Sequence, residues 1–209
     1  MSLSILSKVH ASPNGLLTEL EILKWFPGST NSRYSKVKRL LAQGKLLHLR
    51  RGLYCLTDRM GYWKKLHPFN LAQYVYGPSY ISLESALSFH QLIPETVYGI
   101  TSVTIKRARE FNTPLGLFTY LHLPQENFYV EVDSIRNDEQ YFFMAKPWKA
   151  ICDYVFCYKK DWIDMKPLAA SLRIDLASLP ILYAEECEIL MHYYQHKRIT
   201  RFLKGVSKR

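Results

Sequence analysis

The residues best suited to chemistry in this chain are the cationic and hydrogen-bonding side chains Asn31, Ser32, Arg33, Ser35, Lys36 and Arg39. At helical spacing they share one face, opposite an apolar stripe of Tyr34, Val37, Leu40 and Leu41. Such a set can reach phosphates and the acceptor edges of guanine in a major groove. A second pair, Arg50-Arg51 followed by Gly52, stands between two short apolar runs in GKLLHLRRGLYCL (44–56). That pattern predicts a β-hairpin with a cationic tip, suited to backbone phosphate or the adjacent minor groove.

Other candidates carry less. Glu131-x-Asp133 on an expected strand resembles a carboxylate pair for Mg²⁺, but no lysine follows two residues beyond the acid. Ser85 and Ser88 with His90 have the types of a nucleophile and a base, without the spacing or the orienting acid. Cys55, Cys152, Cys157 and Cys187 form no C-x-x-C pair and read as buried thiols. The aromatic pairs Tyr74/Tyr76, Phe142-Phe143 and Tyr193-Tyr194 have the chemistry for base stacking, although core packing is their commoner use. No catalytic residue, metal ligand or cofactor is expected.

Charge placement sharpens the picture. The net charge is +10, and residues 1–66 hold twelve basic side chains against three acidic, a net of +9. Residues 67–196 hold ten against fifteen, a net of −5, and the last thirteen residues carry six cations and no acid. A cationic end on an acid-leaning remainder suits a nucleic-acid-binding part joined to a part that binds something else.

The elements that must position these residues follow from periodicity and turn chemistry. Leu3, Leu6 and Val9 predict a first short helix, and Ser12-Pro13-Asn14-Gly15 ends it. Thr18 and Glu21 have capping-box spacing for a second helix, with Leu20, Leu23 and Trp25-Phe26 on its apolar side and Pro27-Gly28 at its end. Ser29 or Thr30 caps a third helix running to Gln43. Helix, helix, basic helix, hairpin is the order of a winged helix-turn-helix.

Behind it, a short helix is expected over Asn70–Tyr76 and another from Leu83 to Ile93. The alternating runs 99–107, 115–123, 127–135 and 139–145 predict a four-stranded, mainly antiparallel sheet. Helices follow at Trp148–Tyr158, Leu168–Leu172 and, as one amphipathic element with a basic end, Ala184–Leu203. The expected fold class is α+β, with a winged helix-turn-helix over residues 1–62 and a mixed α/β domain over 63–209. No apolar run reaches the length of about 18 residues that a membrane span needs, and MSLSILSKVH lacks the character of a signal peptide, so a cytoplasmic protein is expected.

Three stretches together resemble the AbiEi family of abortive-infection antitoxins: RRGLYCL (50–56), FNLAQYVYGPSYISLESALSFHQLIPE (69–95) and AKPWKAICDYVF (145–156). Gln91 stands where family members more often carry glycine, and Trp148 where an acid is usual. The resemblance implies an autorepressor that binds double-stranded DNA at repeats in its own promoter. It also implies that the C-terminal domain counters a nucleotidyltransferase-like toxin. Two other readings of the residues stay open: a nuclease using metal ions and targeted by the winged helix, and a transcription regulator that senses a small ligand.

Overall fold

The computed structural model describes residues 15–57, 66–94, 98–125, 127–138 and 140–207. The helix expected over residues 3–10 and most of the connector at 57–68 lie outside these.

The first part, the head, opens with strand β1 (Leu16–Thr18) and helix α1 (Glu19–Trp25). Thr18 and Glu21 form the expected capping box, the hydroxyl taking the Glu21 N–H while the carboxylate takes the Thr18 N–H at 2.7 Å. A cap of this kind is worth about 1 kcal/mol. Helix α2 (Thr30–Ala42) has Ser29 as its N-cap, and strands β2 (Leu46–Arg50) and β3 (Leu53–Leu56) form the hairpin. The three strands make an antiparallel sheet in the order β1-β3-β2.

The apolar side of α1 differs from the expectation. Leu20 and Leu23 are 78% and 49% exposed, while Ile22 and Phe26 are buried. Strand β1 explains the rotation. Leu17 must pack between Tyr54 and the helices, and the tight β1–α1 junction then turns Ile22 inward.

The hairpin sheet is buried on both faces. Leu17, Leu46, Tyr54 and Leu56 pack with Ile22, Phe26 and Val37 of the head. Leu16, Leu49, Leu53 and Cys55 point the other way, into a core shared with Leu71, Val75 and Tyr120 of the remainder. All four residues of β3 are therefore buried, alternating between two cores.

The remainder, the body, is built on a six-stranded sheet in the order β6-β7-β5-β4-β9-β8. Its strands are β4 (Ser79–Ile81), β5 (Ile100–Thr104), β6 (Arg109–Thr113), β7 (Gly116–His122), β8 (Val132–Asn137) and β9 (Gln140–Ala145). Three of its pairings are antiparallel and two, β5–β7 and β4–β9, are parallel. The four-stranded, mainly antiparallel sheet expected from sequence is thus larger and more mixed. After β5 the chain skips one position, lays down β6 and returns as β7 into the gap, and two reversals leave β7 parallel to β5.

Helix α3 (Pro68–Val75) packs on one face of this sheet, where the Tyr120 hydroxyl donates to the Ala72 carbonyl at 2.6 Å. Helices α4 (Leu83–Phe89) and α5 (Pro147–Cys157) lie towards the face carrying Tyr80, followed by α6 (Met165–Leu172). The single helix expected over 184–203 is two, α7 (Ala184–Tyr194) and α8 (Lys197–Val206). Gln195, at φ 46°, breaks them apart. The molecule is a mixed α+β fold, and among the described residues no helix is long and apolar enough to cross a membrane.

Candidate nucleic-acid interface

Helix α2 presents the expected polar and cationic residues in two tiers. Asn31, Ser35 and Arg39 are exposed, whereas Ser32, Arg33 and Lys36 are half-buried. The second tier faces the turn after α1. Arg33 Nε donates to the Phe26 carbonyl at 2.8 Å, and Lys36 Nζ to the Pro27 carbonyl at 3.0 Å. These carbonyls follow the last turn of α1, where cationic donors interact favourably with the helix dipole. Gly28 makes the turn at φ +110°, and a Cβ there would come within 3.1 Å of Ser32 Oγ. The two cations thus fix α2 against α1 as well as contributing charge to the surface.

The two wing arginines part company. Arg51 is exposed in the turn, next to Gly52 at φ +74°. Arg50 is turned back into the molecule. Its Nε and Nη2 donate to the Val75 and Tyr74 carbonyls at the end of α3, and its Nη1 to the Arg51 carbonyl. Arg50 therefore fastens the hairpin to the body, and the exposed cation of the tip is Arg51.

Beside the tip, the Tyr34 hydroxyl donates to Glu19 at 3.1 Å. The Glu19 carboxylate raises the Tyr34 pKa above its ordinary value, with the Arg51 charge opposing. One carboxylate, Glu19, is thus placed between α2 and the hairpin tip in an otherwise cationic surface.

Sequence reasoning missed a second constellation, in the body. Lys149 and Asp153 of α5 form an ion pair at 2.6 Å with both side chains wholly buried. Lys149 Nζ also donates to the hydroxyls of Tyr80 (2.6 Å) and Tyr194 (3.0 Å). Asp153 accepts from Tyr80, Ser82 and Tyr194 as well. Every ammonium proton has an acceptor, and the carboxylate accepts four hydrogen bonds, which is its normal capacity. Burial pulls the Lys149 pKa below its ordinary value against the pull of Asp153 and pushes Tyr80 and Tyr194 well above theirs. The i, i+4 spacing was the visible signal.

This network joins three separate segments of the chain. Tyr80 and Ser82 come from one and Lys149 and Asp153 from another, with Tyr194 of α7 as the fifth member. A cleft of about 550 Å³, lined by Gln125, Asn127, His192 and Gln195, has Tyr193 and Tyr194 against the network.

The remaining sequence candidates disperse. Glu131 lies in a turn at φ 54° ahead of β8, not on a strand, and pairs with Lys146 at 3.0 Å. Ser85 bonds the backbone of Gly99 and Thr101, while His90 Nε2 meets the Ala145 carbonyl at 2.8 Å, so the two are not joined. Phe142, Tyr193 and Tyr194 are core residues, and Tyr74 is partly exposed. Among the described residues no three His, Cys, Asp or Glu side chains are grouped to hold a metal ion. No protein-family model matches the chain, and no curated protein does either.

Proposed function

We propose that the protein is a non-enzymatic, DNA-binding transcriptional autorepressor and an antitoxin. In this reading the head is a winged helix-turn-helix, with α2 as the recognition helix and the β2–β3 hairpin as the wing. The observation that carries it is the order β1-α1-α2-β2-β3 with the outer face of α2 and the hairpin tip cationic side by side. Asn31, Ser35 and Arg39 reach base edges, Ser32, Arg33 and Lys36 hold the helix ends in register near the backbone, and Arg51 meets phosphate. The partner is double-stranded DNA at the protein's own promoter repeats.

The antitoxin half rests on the AbiEi resemblance and on the acid-leaning composition of residues 67–196, which suits a basic toxin surface. The toxin is a nucleotidyltransferase-like enzyme. The DNA half is tested by fluorescence anisotropy of the full chain on the duplex upstream of its coding region and on a scrambled duplex, each over a salt series. Preference for its own sequence that persists near physiological salt is the expected result. Equal binding that salt erases on both duplexes overturns sequence-specific repression.

A further inference from the structure

Helix α8 carries Lys197, Arg198, Arg201 and Lys204 and no carboxylate. Its apolar side, Ile199, Phe202, Leu203 and Val206, is buried, with α5 and α7 as its helical neighbours. The helix is consequently fixed on the body with Lys197, Arg201 and Lys204 exposed. The seating is tight, because a Cβ on Gly205 would fall 1.7 Å from the Ile163 carbonyl oxygen. Asp161 of the same neighbouring segment accepts from Arg198 at 3.1 Å and from Arg201 at 3.5 Å. Lys159, Lys160 and Lys166 flank that segment in sequence, so α8 and residues 159–166 together hold seven cations and two carboxylates, Asp161 and Asp164, a net of +5.

Three features indicate what this surface meets. Lys197 and Arg198 occupy the first turn of α8, where the helix dipole disfavours cations and where the helix supplies no acid of its own, Asp161 of the neighbouring segment pairing with Arg198. The chain therefore holds charge there against the helix's own stability. Lys197, Arg201 and Lys204 follow an i, i+4, i+7 row, spread along the axis over roughly 10 Å at about 1.5 Å per residue, a line of charge that fits a polyanionic backbone. Finally, the apolar side of α8 is already committed to the core, whereas a membrane-surface helix needs that side for the bilayer.

The surface is distinct from the head. Helix α3, which Arg50 grips, lies on the sheet face of Tyr120, and α5, against which α8 packs, lies on the face of Tyr80. Tyr80 and Tyr120 occupy opposite faces because Tyr80 pairs with Val103, whereas Tyr120 pairs with Ser102.

We propose that α8, with Lys160 and Lys166 beside it, is a second binding site for the phosphodiester backbone of a nucleic acid, independent of the head. It leaves sequence unread and lets one molecule hold two nucleic-acid segments.

The test compares four full-length proteins: wild type, Arg39→Ala/Arg51→Ala in the head, Lys197→Ala/Arg201→Ala/Lys204→Ala in α8, and the combination. Each is titrated with a random-sequence labelled DNA duplex and with single-stranded RNA over a salt series. The head variant is expected to retain salt-sensitive binding that the combination loses, with the log–log salt slope falling by about 2 to 3. The larger loss, on duplex or on RNA, identifies which nucleic acid the site takes. Unchanged affinity and slope on both, after the α8 changes, overturns the proposal. If the triple variant melts early, Lys197→Gln/Lys204→Gln repeats the comparison without touching the Asp161 pairs. Failure of the head to prefer its own promoter leaves this outcome unaffected, because the α8 comparison uses random sequence.

Discussion

Lys149 in the body and Arg39 with Arg51 in the head are opposite uses of a cation. Lys149 is fully buried and spends every donor on Asp153, Tyr80 and Tyr194 of its own chain. Arg39 and Arg51 stand exposed. Between them lies Arg50, adjacent to Arg51 in sequence yet directed into backbone carbonyls of α3. A cation whose donors are consumed internally builds the fold, and one whose donors face outward is available to a partner. Sequence alone ranks Arg50 and Arg51 equally, and only the tertiary neighbours separate them.

That division can be broken by experiment. The largest effect is expected for Lys149→Met, which leaves Asp153 as an uncompensated buried charge and lowers stability by about 3–5 kcal/mol. Adding Asp153→Leu should recover part of this loss in urea unfolding. A double change no better than the single one would mean that the hydroxyls, rather than the charges, hold the cluster.

Next in size, Arg50→Ala should cost about 1–3 kcal/mol of stability, since it removes charge-assisted hydrogen bonds to α3. Its neighbour Arg51→Ala should stay within about 0.5 kcal/mol of wild type and lower the affinity for duplex instead. Equal stability losses at the two positions would erase the distinction drawn here.

The smallest effect is one of pH. Burial lowers the His67 pKa, and its Nδ1 caps α3 by accepting the Phe69 N–H at 3.2 Å while the ring stacks on Phe142. A lowered folded pKa means that the unfolded chain binds the proton more readily. Stability is then full above the unfolded value near about 6.5 and is lost as pH falls through the folded value. The thermal midpoint should drop on acidification below that point, and His67→Asn should flatten the drop while preserving a cap.

Much of the head was legible because its signals are local. The Thr18–Glu21 box, the Ser29 cap and the Arg50-Arg51-Gly52 tip each need only a few neighbouring residues. The phase of α1 was not legible, since β1 sets it through pairing with β3 nearly forty residues away. Strand β4, three residues long, is held by β5 and by a parallel contact from Ile81 to Met144. The mostly polar β6 lies at the sheet edge. Neither shows an alternation that marks it alone. The buried cluster hid for a similar reason, because Tyr80 and Tyr194 are 69 and 45 residues from Lys149.

Strand β3, whose residues alternate between two cores, bears on how far this molecule can be divided. Cutting at the 62/63 boundary that composition suggests would strip the outer covering from Leu16, Leu49, Leu53 and Cys55 together, leaving the severed head with a greasy, self-adhesive back. Evolution and the bench face the same constraint. The head cannot be transplanted onto another protein by swapping sequence at that boundary, because its seam runs through the middle of the hairpin rather than between two closed modules.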